Sequence, residues 1–512
     1  MKKQSLIKGS LILGIAGMAT RFLGLFFRWP LIMLIGDEGV GYYQMSYPLY
    51  MFFIAMASGV PIAISKLISE KNALDDIEGG FEVVKEALLL MILLGTGTSF
   101  VLFFFSSSII DILEWDYKSY YSLIGISLAP MIISIMTVFR GFFQGLQNIT
   151  YSAISQVLEQ IGRVVFGVGL AILLLKYGIE YSAGGAAFGA TAGGIIAGVY
   201  LMIKYKKVKK EYKIYKVRWN AEVLNKILVI SIPISLGATV GTIMGLIDSI
   251  LVPKKLVEAG ISIKEATILY AQLTGKAAVI VNIPLTLSMA LCVSIIPIIA
   301  EVFLLKKRKE LERKINTTFK ISMIIAMPCM FGLFFMSNQI MNLIFPGRSQ
   351  GAEILKYLAL SIPFIIITQI TTSILQGIGK YVIPVLNLLI GCIVKIVLTM
   401  ILVSNSNINI YGAVIATISA YTAVAILNIL SMKIKLKIQF KFFENVIKPI
   451  YASIAMIIFT VIIYKLLYMN TCSNGLSTVL SVFAGAIIYG ISVLILRILK
   501  SDEIMSKVKK IK

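Results

Sequence analysis

Residues 14–28 read GIAGMATRFLGLFFR and lie inside the first long apolar segment of the chain. Gly14, Gly17, Arg21, Gly24 and Arg28 recur at spacings of three and four residues, which places all five on one face of a helix. An arginine at the centre of a bilayer costs about 2.5–3.5 kcal/mol on insertion scales, so such side chains normally face water, a ligand or an opposite charge. The stretch therefore predicts a membrane helix whose two arginines serve a function.

The whole chain is too apolar for a soluble protein. Of its 512 residues, 58% are hydrophobic and 14% are charged, and the mean hydropathy is +0.90. The first apolar run, 11–35, is longer than the core of a signal peptide and continues into a second apolar run without a convincing cleavage site. We therefore predict an all-α polytopic membrane protein that retains its first helix.

Apolar runs of about 20 residues or more predict about fourteen transmembrane helices. Their approximate limits are 6–35, 42–68, 83–110, 119–144, 152–176, 183–203, 223–252, 266–300, 317–337, 352–377, 381–403, 410–431, 446–469 and 476–499. Lysine and arginine concentrate at the two ends and in alternate loops, so the positive-inside rule predicts that both termini are cytoplasmic. This distribution explains the net charge of +23 without a nucleic-acid partner.

Several classes of function are disfavoured by residues that the chain lacks or scatters. It contains no histidine, and its four cysteines are far apart, so a metal site or a histidine-based catalytic triad is not expected. The connecting loops are short and carry no GxxxxGK[ST] sequence, which argues against an ATP-binding domain. The sequence thus predicts no enzyme, no cofactor and no metal.

An internal repeat relates the two halves of the chain. Short matches recur in the same order at similar offsets, namely Gly17 and Arg28 with Gly237 and Asp248, Gln144 and Gly145 with Gln376 and Gly377, Arg163 with Lys395, and Gly185 and Ala186 with Gly412 and Ala413. We interpret these matches as two pseudo-symmetric six-helix lobes in parallel orientation, with two helices added at the end. The predicted domains are an N-lobe at 1–218, a C-lobe at 219–440, and the last two spans with a basic tail at 441–512.

Ionisable residues inside the predicted spans form the candidate substrate-binding set. They are Arg21, Arg28, Glu159, Arg163, Asp248, Lys276 and Lys395. Because five are positive and two are negative, a cavity that they shared would attract an anion. Structural ion pairs are an equal alternative for some of them: Arg28 with Asp248, and Glu159 with Arg163 one helical turn away. Arg21, Lys276 and Lys395 outnumber the remaining acids, which favours a place in the cavity, whereas the glycine stripes favour close helix packing.

Six stretches carry a resemblance to a known family. RFLGLFFR (21–28), GVGYYQMSYPLY (39–50), GVPIAISKLISE (59–70), RGFFQGLQN (140–148), SQVLEQIGRVV (155–165) and IDSILVPKKL (247–256) resemble the stage V sporulation protein B group. That group belongs to the polysaccharide transporter branch of the multidrug/oligosaccharidyl-lipid/polysaccharide exporter superfamily, and the chain is more distantly similar to the lipid II flippases. The resemblance implies two lobes around a central cavity, alternating access, a place in the bacterial inner membrane, and a groove for a lipid tail formed by the last two helices.

The resemblance also implies that Arg21 and Arg28 engage the pyrophosphate of the substrate. In the eighth span the sequence departs from the flippases, and Lys276 is only a candidate for their cavity arginine. The expected function is a flippase for a polyprenyl-pyrophosphate-linked saccharide, such as a peptidoglycan precursor for spore cortex, working as a monomeric unit among membrane lipids. The alternatives are a cation-coupled multidrug exporter, which should offer carboxylates to its drugs, and a membrane glycosyltransferase or ligase, which should offer a catalytic cluster at a membrane face.

Overall fold

The computed structural model describes residues 6–212, 220–437 and 440–498. Within these ranges the chain forms helices and no strands, and thirteen of the helical segments are long and apolar enough to cross a membrane. The predicted all-α polytopic architecture is confirmed. The helices group into two compact units, Met1–Ala271 (unit 1) and Gln272–Lys512 (unit 2).

The described residues of unit 1 form ten α-helices. They are α1 (Leu6–Ala57), α2 (Gly59–Ala73), α3 (Ile77–Phe104), α4 (Ser106–Leu113), α5 (Tyr120–Ser127), α6 (Ala129–Gly145), α7 (Ile149–Leu174), α8 (Ile179–Glu211), α9 (Ala221–Glu258) and α10 (Ile263–Ala271). Side chains cap two of the helices where loops lead into them. Asp76 accepts from the Gly79 N–H before α3, at 2.8 Å, and Asn220 accepts from two N–H groups at the start of α9.

Unit 2 opens with a π-helical turn at Gln272–Ala277, and its described residues form nine α-helices. They are α11 (Ala278–Leu304), α12 (Arg308–Phe335), α13 (Ser337–Ile344), α14 (Ala352–Leu358), α15 (Ile362–Gly377), α16 (Val382–Leu402), α17 (Tyr411–Leu436), α18 (Lys448–Thr471) and α19 (Asn474–Ile495). The last two, α18 and α19, pack on each other, and the Tyr489 hydroxyl ties α19 to α12 by donating to the Ile324 carbonyl at 2.8 Å.

Helix α1 holds the first predicted span and most of the second. At Gly36 the backbone has φ 67° and ψ −172°, so the helical conformation is interrupted between 6–35 and 37–57. Glycine adopts this left-handed conformation without the penalty that a Cβ atom brings. Each part is long enough to cross a hydrocarbon core of about 30 Å. The first of the thirteen segments, Phe22–Ala73, begins within the first predicted span and includes the whole second one, which reconciles thirteen segments with the expected fourteen spans.

The two units share an order of packing that follows the sequence repeat. In each, a helix of 28 residues is followed by one of eight residues, namely α3 and α4 in unit 1 and α12 and α13 in unit 2. Gly145 of α6 packs on α2 and Gly377 of α15 packs on α11, while Gly185 of α8 packs on α7 and Gly412 of α17 packs on α16. Matching glycines therefore make matching helix contacts.

Helix α9 packs on α1 and α2 and belongs to unit 1. A Cβ atom on Gly59 of α2 would lie 2.1 Å from the Ser231 carbonyl oxygen, and the Gly59 N–H donates to Ser235 Oγ at 3.0 Å. Near the other end of α9, Trp115 Nε1 donates to the Ser249 carbonyl at 2.7 Å. The compact units thus divide after α10. The lobe boundaries at 218/219 and 440/441, which rest on the repeat, stay a prediction.

Candidate functional site

The centre of the site in unit 1 is helix α7, which packs backbone to backbone against α8. A Cβ atom on Gly193 of α8 would lie 2.2 Å from the Glu159 carbonyl oxygen, and one on Gly189 would lie 2.8 Å from the Arg163 carbonyl oxygen. Small residues at such positions allow two membrane helices to approach closely. The acidic and basic side chains of α7 then contact helices other than α8.

Glu159 forms an ion pair with Arg140 of α6. Arg140 Nη2 lies 2.8 Å from Glu159 Oε2, and Arg140 Nε donates to Ser155 Oγ at 2.9 Å. The exposed fractions of the Arg140 and Glu159 side chains are 14% and 19%. The ion pair that the sequence allowed within α7, between Glu159 and Arg163, is not formed in the described structure. Glu159 is instead neutralised from a neighbouring helix.

Arg163 lies one turn further along α7, within electrostatic range of three tyrosines of α1: Tyr43, Tyr47 and Tyr50. Its Nε atom is buried and has no hydrogen-bond partner among the described residues. The tyrosines form a ladder, with ring centroids 5.5 Å apart from Tyr43 to Tyr47 and 5.7 Å apart from Tyr47 to Tyr50. Guanidinium and phenol groups both supply hydrogen-bond donors of the kind that bind a phosphate.

The structure describes fewer contacts for the two arginines of α1 than for Arg163. Arg28 is partly buried and lies within electrostatic range of Tyr43. Arg21 belongs to α1, but its side chain lies outside the described part of the structure. Asp248 is partly buried on α9. Unit 1 therefore carries five of the seven predicted site residues, while the pairing of Arg28 with Asp248 stays a prediction.

Lys276 of unit 2 is enclosed by protein. Its exposed fraction is 0%, and its Nζ donates to the backbone carbonyls of Arg348 and Gln350 at 2.7 and 3.3 Å. The Phe345 ring lies 5.8 Å from the same atom. Carbonyl oxygens of the loop before α14 thus accept hydrogen bonds from the Lys276 ammonium. A phosphate could bind this ammonium only by displacing those carbonyls. A role for Lys276 in substrate binding stays a prediction.

Lys395 is also buried, with an exposed fraction of 2% on α16. About two turns earlier on the same helix, Asn387 belongs to a buried network that joins three helices. Its Nδ2 donates to Asn428 Oδ1 of α17 at 2.8 Å, and Asn428 Nδ2 donates to Thr371 Oγ1 of α15 at 3.0 Å. These bonds hold together the helix group that carries Lys395. In this conformation neither of the predicted cations of unit 2 offers an open surface.

Three glycines of the predicted stripes on α1 and α9 pack less closely than Gly189 and Gly193 of α8. A Cβ atom on Gly17, Gly241 or Gly245 would meet no atom within 4 Å, and the last two residues are exposed. The close packing expected at these positions is therefore absent in the described structure. The glycine face of α9 borders open space instead. Within residues 6–212, 220–437 and 440–498, no group of three metal-binding side chains occurs.

Comparison with known proteins identifies the family. The model of the family described as polysaccharide biosynthesis protein matches residues 6–303. Stage V sporulation protein B of Bacillus subtilis is 30% identical over 517 residues, with 98% of each chain covered. The chain belongs to this polysaccharide biosynthesis protein family. A second model, MatE, matches residues 274–401.

Other members of the superfamily show the same relationship. Lipid II flippase MurJ of Bacillus subtilis is 28% identical over 443 residues, covering 82% of this chain and 80% of the relative. A solved structure of lipid II flippase MurJ in an inward closed conformation has a TM-score of 0.73 at 18% identity, with 95% of this chain and 98% of that chain covered. The chain is therefore a multi-pass membrane transporter of the multidrug/oligosaccharidyl-lipid/polysaccharide exporter superfamily.

Four residues of the site in this family member were not among the sequence candidates: Arg140, Tyr43, Tyr47 and Tyr50. The tyrosines follow one another at spacings of four and three residues, the same helical signal that marks the arginines of 14–28. Arg140 lies inside the predicted span 119–144, near its end. The position of Arg140 within a predicted span and the spacing of the tyrosines are therefore sequence signals for these four site residues.

Proposed function

We propose that this transporter moves a lipid-linked saccharide with a phosphate or pyrophosphate group across the bacterial inner membrane by alternating access. The observation that carries the proposal is the surroundings of Arg163. Arg163 lies within electrostatic range of Tyr43, Tyr47 and Tyr50, while the acid one turn earlier on its own helix, Glu159, is bound to Arg140. The relative named lipid II flippase supports a lipid-linked substrate, and the relative named stage V sporulation protein B supports a use in spore formation.

The charge balance of unit 1 favours an anion. The predicted site residues of unit 1 include three cations, Arg21, Arg28 and Arg163. They include two acids, Asp248 and Glu159, and Glu159 is paired with Arg140. Hydrogen bonds from charged donors to a phosphate are roughly twice as strong as those between neutral groups. Arginine also offers planar, paired N–H groups that match phosphate oxygens. We therefore place the phosphate near Arg163 and the two α1 arginines.

The energy for outward movement can come from the membrane potential. If both termini are cytoplasmic, the substrate anion leaves a compartment that is electrically negative. Export is then downhill by about 2.3 kcal/mol per charge for each 100 mV. We propose that the polyprenyl tail stays in lipid along α18 and α19, and that Lys276 reaches substrate only if the loop before α14 moves away from it.

The test compares candidate substrates in proteoliposomes made from the purified protein. A labelled polyprenyl-pyrophosphate saccharide should appear at the opposite leaflet, at a rate that depends on the imposed potential. Lys176→Ala, at an exposed position after α7, serves as a control for loss of an unrelated cation. Movement of an organic cation in place of the saccharide would indicate the multidrug alternative. Covalent change of the labelled lipid would indicate an enzyme.

A further inference from the structure

A separate polar cavity of about 240 Å³ opens in unit 2, where α12 ends and α13 and α14 begin. Its lining combines aromatic, uncharged polar, acidic and basic side chains. Its lining includes Phe334, Asn338, Gln339, Glu353 and Lys356. The candidate phosphate site of unit 1 contributes none of them, so this cavity is a different site.

The charged groups of the cavity are held in place by neighbours. The Tyr411 hydroxyl donates to Glu353 Oε2 at 3.1 Å. The Nζ of Lys356 lies 5.4 Å from the centroid of the Phe334 ring, within the range of a cation–π contact. The first residue of α19 donates to the Gln339 backbone carbonyl at 3.2 Å, which fixes the start of α13. Glu353 and Lys356 are therefore held in place before any ligand arrives.

Two carboxamides of the cavity are available to a ligand. The side chains of Asn338 and Gln339 form no hydrogen bond with any residue that the structure describes, and Asn338 is exposed. Each carboxamide offers an acceptor oxygen and two donor hydrogens. Together with Glu353 and Lys356 they present donors and acceptors around one small space.

We propose that this cavity binds a single ring of a saccharide. Its volume exceeds the roughly 150 Å³ that accommodates benzene and is below the roughly 300–1,000 Å³ of pockets for drug-sized ligands. One carboxylate and one ammonium leave its lining without net charge, which favours a neutral ligand over a lipid phosphate. The carboxamides, Glu353 and Lys356 hydrogen-bond the sugar hydroxyls, and Phe334 contacts the apolar C–H face of the ring.

The test measures binding of N-acetylglucosamine and glucose to the full-length protein in lipid nanodiscs. Saturation-transfer difference NMR detects weak binding at millimolar sugar, and detergents with sugar head groups are left out because they would compete. Asn338→Ala should weaken binding roughly 3–10-fold, as expected for one hydrogen bond. Lys356→Met should weaken it at least as much. Asn407→Ala and Lys465→Met replace exposed residues outside the cavity and should leave binding unchanged.

The Glu353→Gln variant distinguishes a sugar ligand from a lipid phosphate head group. A saccharide site loses an acceptor and binds the sugars less tightly, whereas a phosphate site loses a repulsive charge and retains more anionic lipid, which native mass spectrometry measures. Saturation transfer in the wild-type protein that falls in the three cavity variants supports the proposal. Absence of transfer, equal transfer in Asn338→Ala, or retained phosphatidylglycerol in place of sugar overturns it. A transport assay is not involved, so failure here leaves the proposed function to its own test.

Discussion

Replacing Arg140 by alanine removes both side-chain bonds of a largely buried cation. The ion pair with Glu159 spans 2.8 Å, the bond to Ser155 spans 2.9 Å, and both charged side chains are less than one-fifth exposed. A hydrogen bond to a charged group contributes about 1.5–3 kcal/mol, and breaking a buried pair costs about 3–5 kcal/mol because one charge is left behind. We expect Arg140→Ala to lower the free energy of unfolding by about 3–4 kcal/mol.

Unfolding by SDS in mixed micelles, followed by circular dichroism, measures this loss. The matched control is Lys66→Ala, which breaks a pair with Glu70 at 3.9 Å whose side chains are 60% and 57% exposed; it should cost less than about 0.5 kcal/mol. Adding Glu159→Gln to Arg140→Ala removes the stranded carboxylate and should restore part of the stability. Equal effects of Arg140→Ala and Lys66→Ala, or a further loss on adding Glu159→Gln, would refute the reasoning.

Three further predictions test other parts of the structure. Gly193→Ala places a methyl group 2.2 Å from a carbonyl oxygen of α7 and should cost about 1–3 kcal/mol in the same unfolding measurement, whereas Gly241→Ala meets no atom within 4 Å and should be neutral or slightly stabilising. Lys276→Met removes the donor to two loop carbonyls and should speed hydrogen exchange in 345–351, measured by mass spectrometry; unchanged exchange would argue against the structural role. The hydrogen bond from Lys71 holds the pKa of Asp76 below its usual range, so its stabilising effect is complete above the unfolded-chain pKa of about 3.9 and is lost as pH falls through the lower folded value. Asp76→Asn should flatten that acid dependence while keeping the helix cap, as unfolding between pH 2 and 5 will show.

The architecture was predictable because it depends on features that local sequence carries. Apolar runs give the crossing helices, and the shared order of matches such as Gly145 with Gly377 gives equivalent packing in both halves. The predicted limits of the first two spans, 6–35 and 42–68, bracket the break in α1 at Gly36. Hydropathy therefore located the joint between them, but not its left-handed backbone, because one such glycine among 40 leaves no distinct sequence signal.

The site was predictable in its residue types and less so in its contacts. Helical spacing shows that Glu159 and Arg163 can meet, but Arg140 reaches Glu159 from another helix, which only the packing of α6 against α7 decides. Lys276 is bound by carbonyls more than 70 residues later in the chain, and backbone partners have no side-chain signature. The glycines of α8 and α9 look alike in sequence, yet only the first group packs closely.

The central claim is that the arginines of unit 1 recognise the phosphate of the substrate. The most direct measurement is the initial rate at which the Arg163→Gln variant flips a labelled polyprenyl-pyrophosphate saccharide in proteoliposomes. A charged hydrogen bond of about 1.5–3 kcal/mol corresponds to a rate roughly ten- to a hundred-fold below that of the wild-type protein. Lys176→Ala should retain the full rate. An unchanged rate for Arg163→Gln, and for Arg21→Ala combined with Arg28→Ala, would contradict the account.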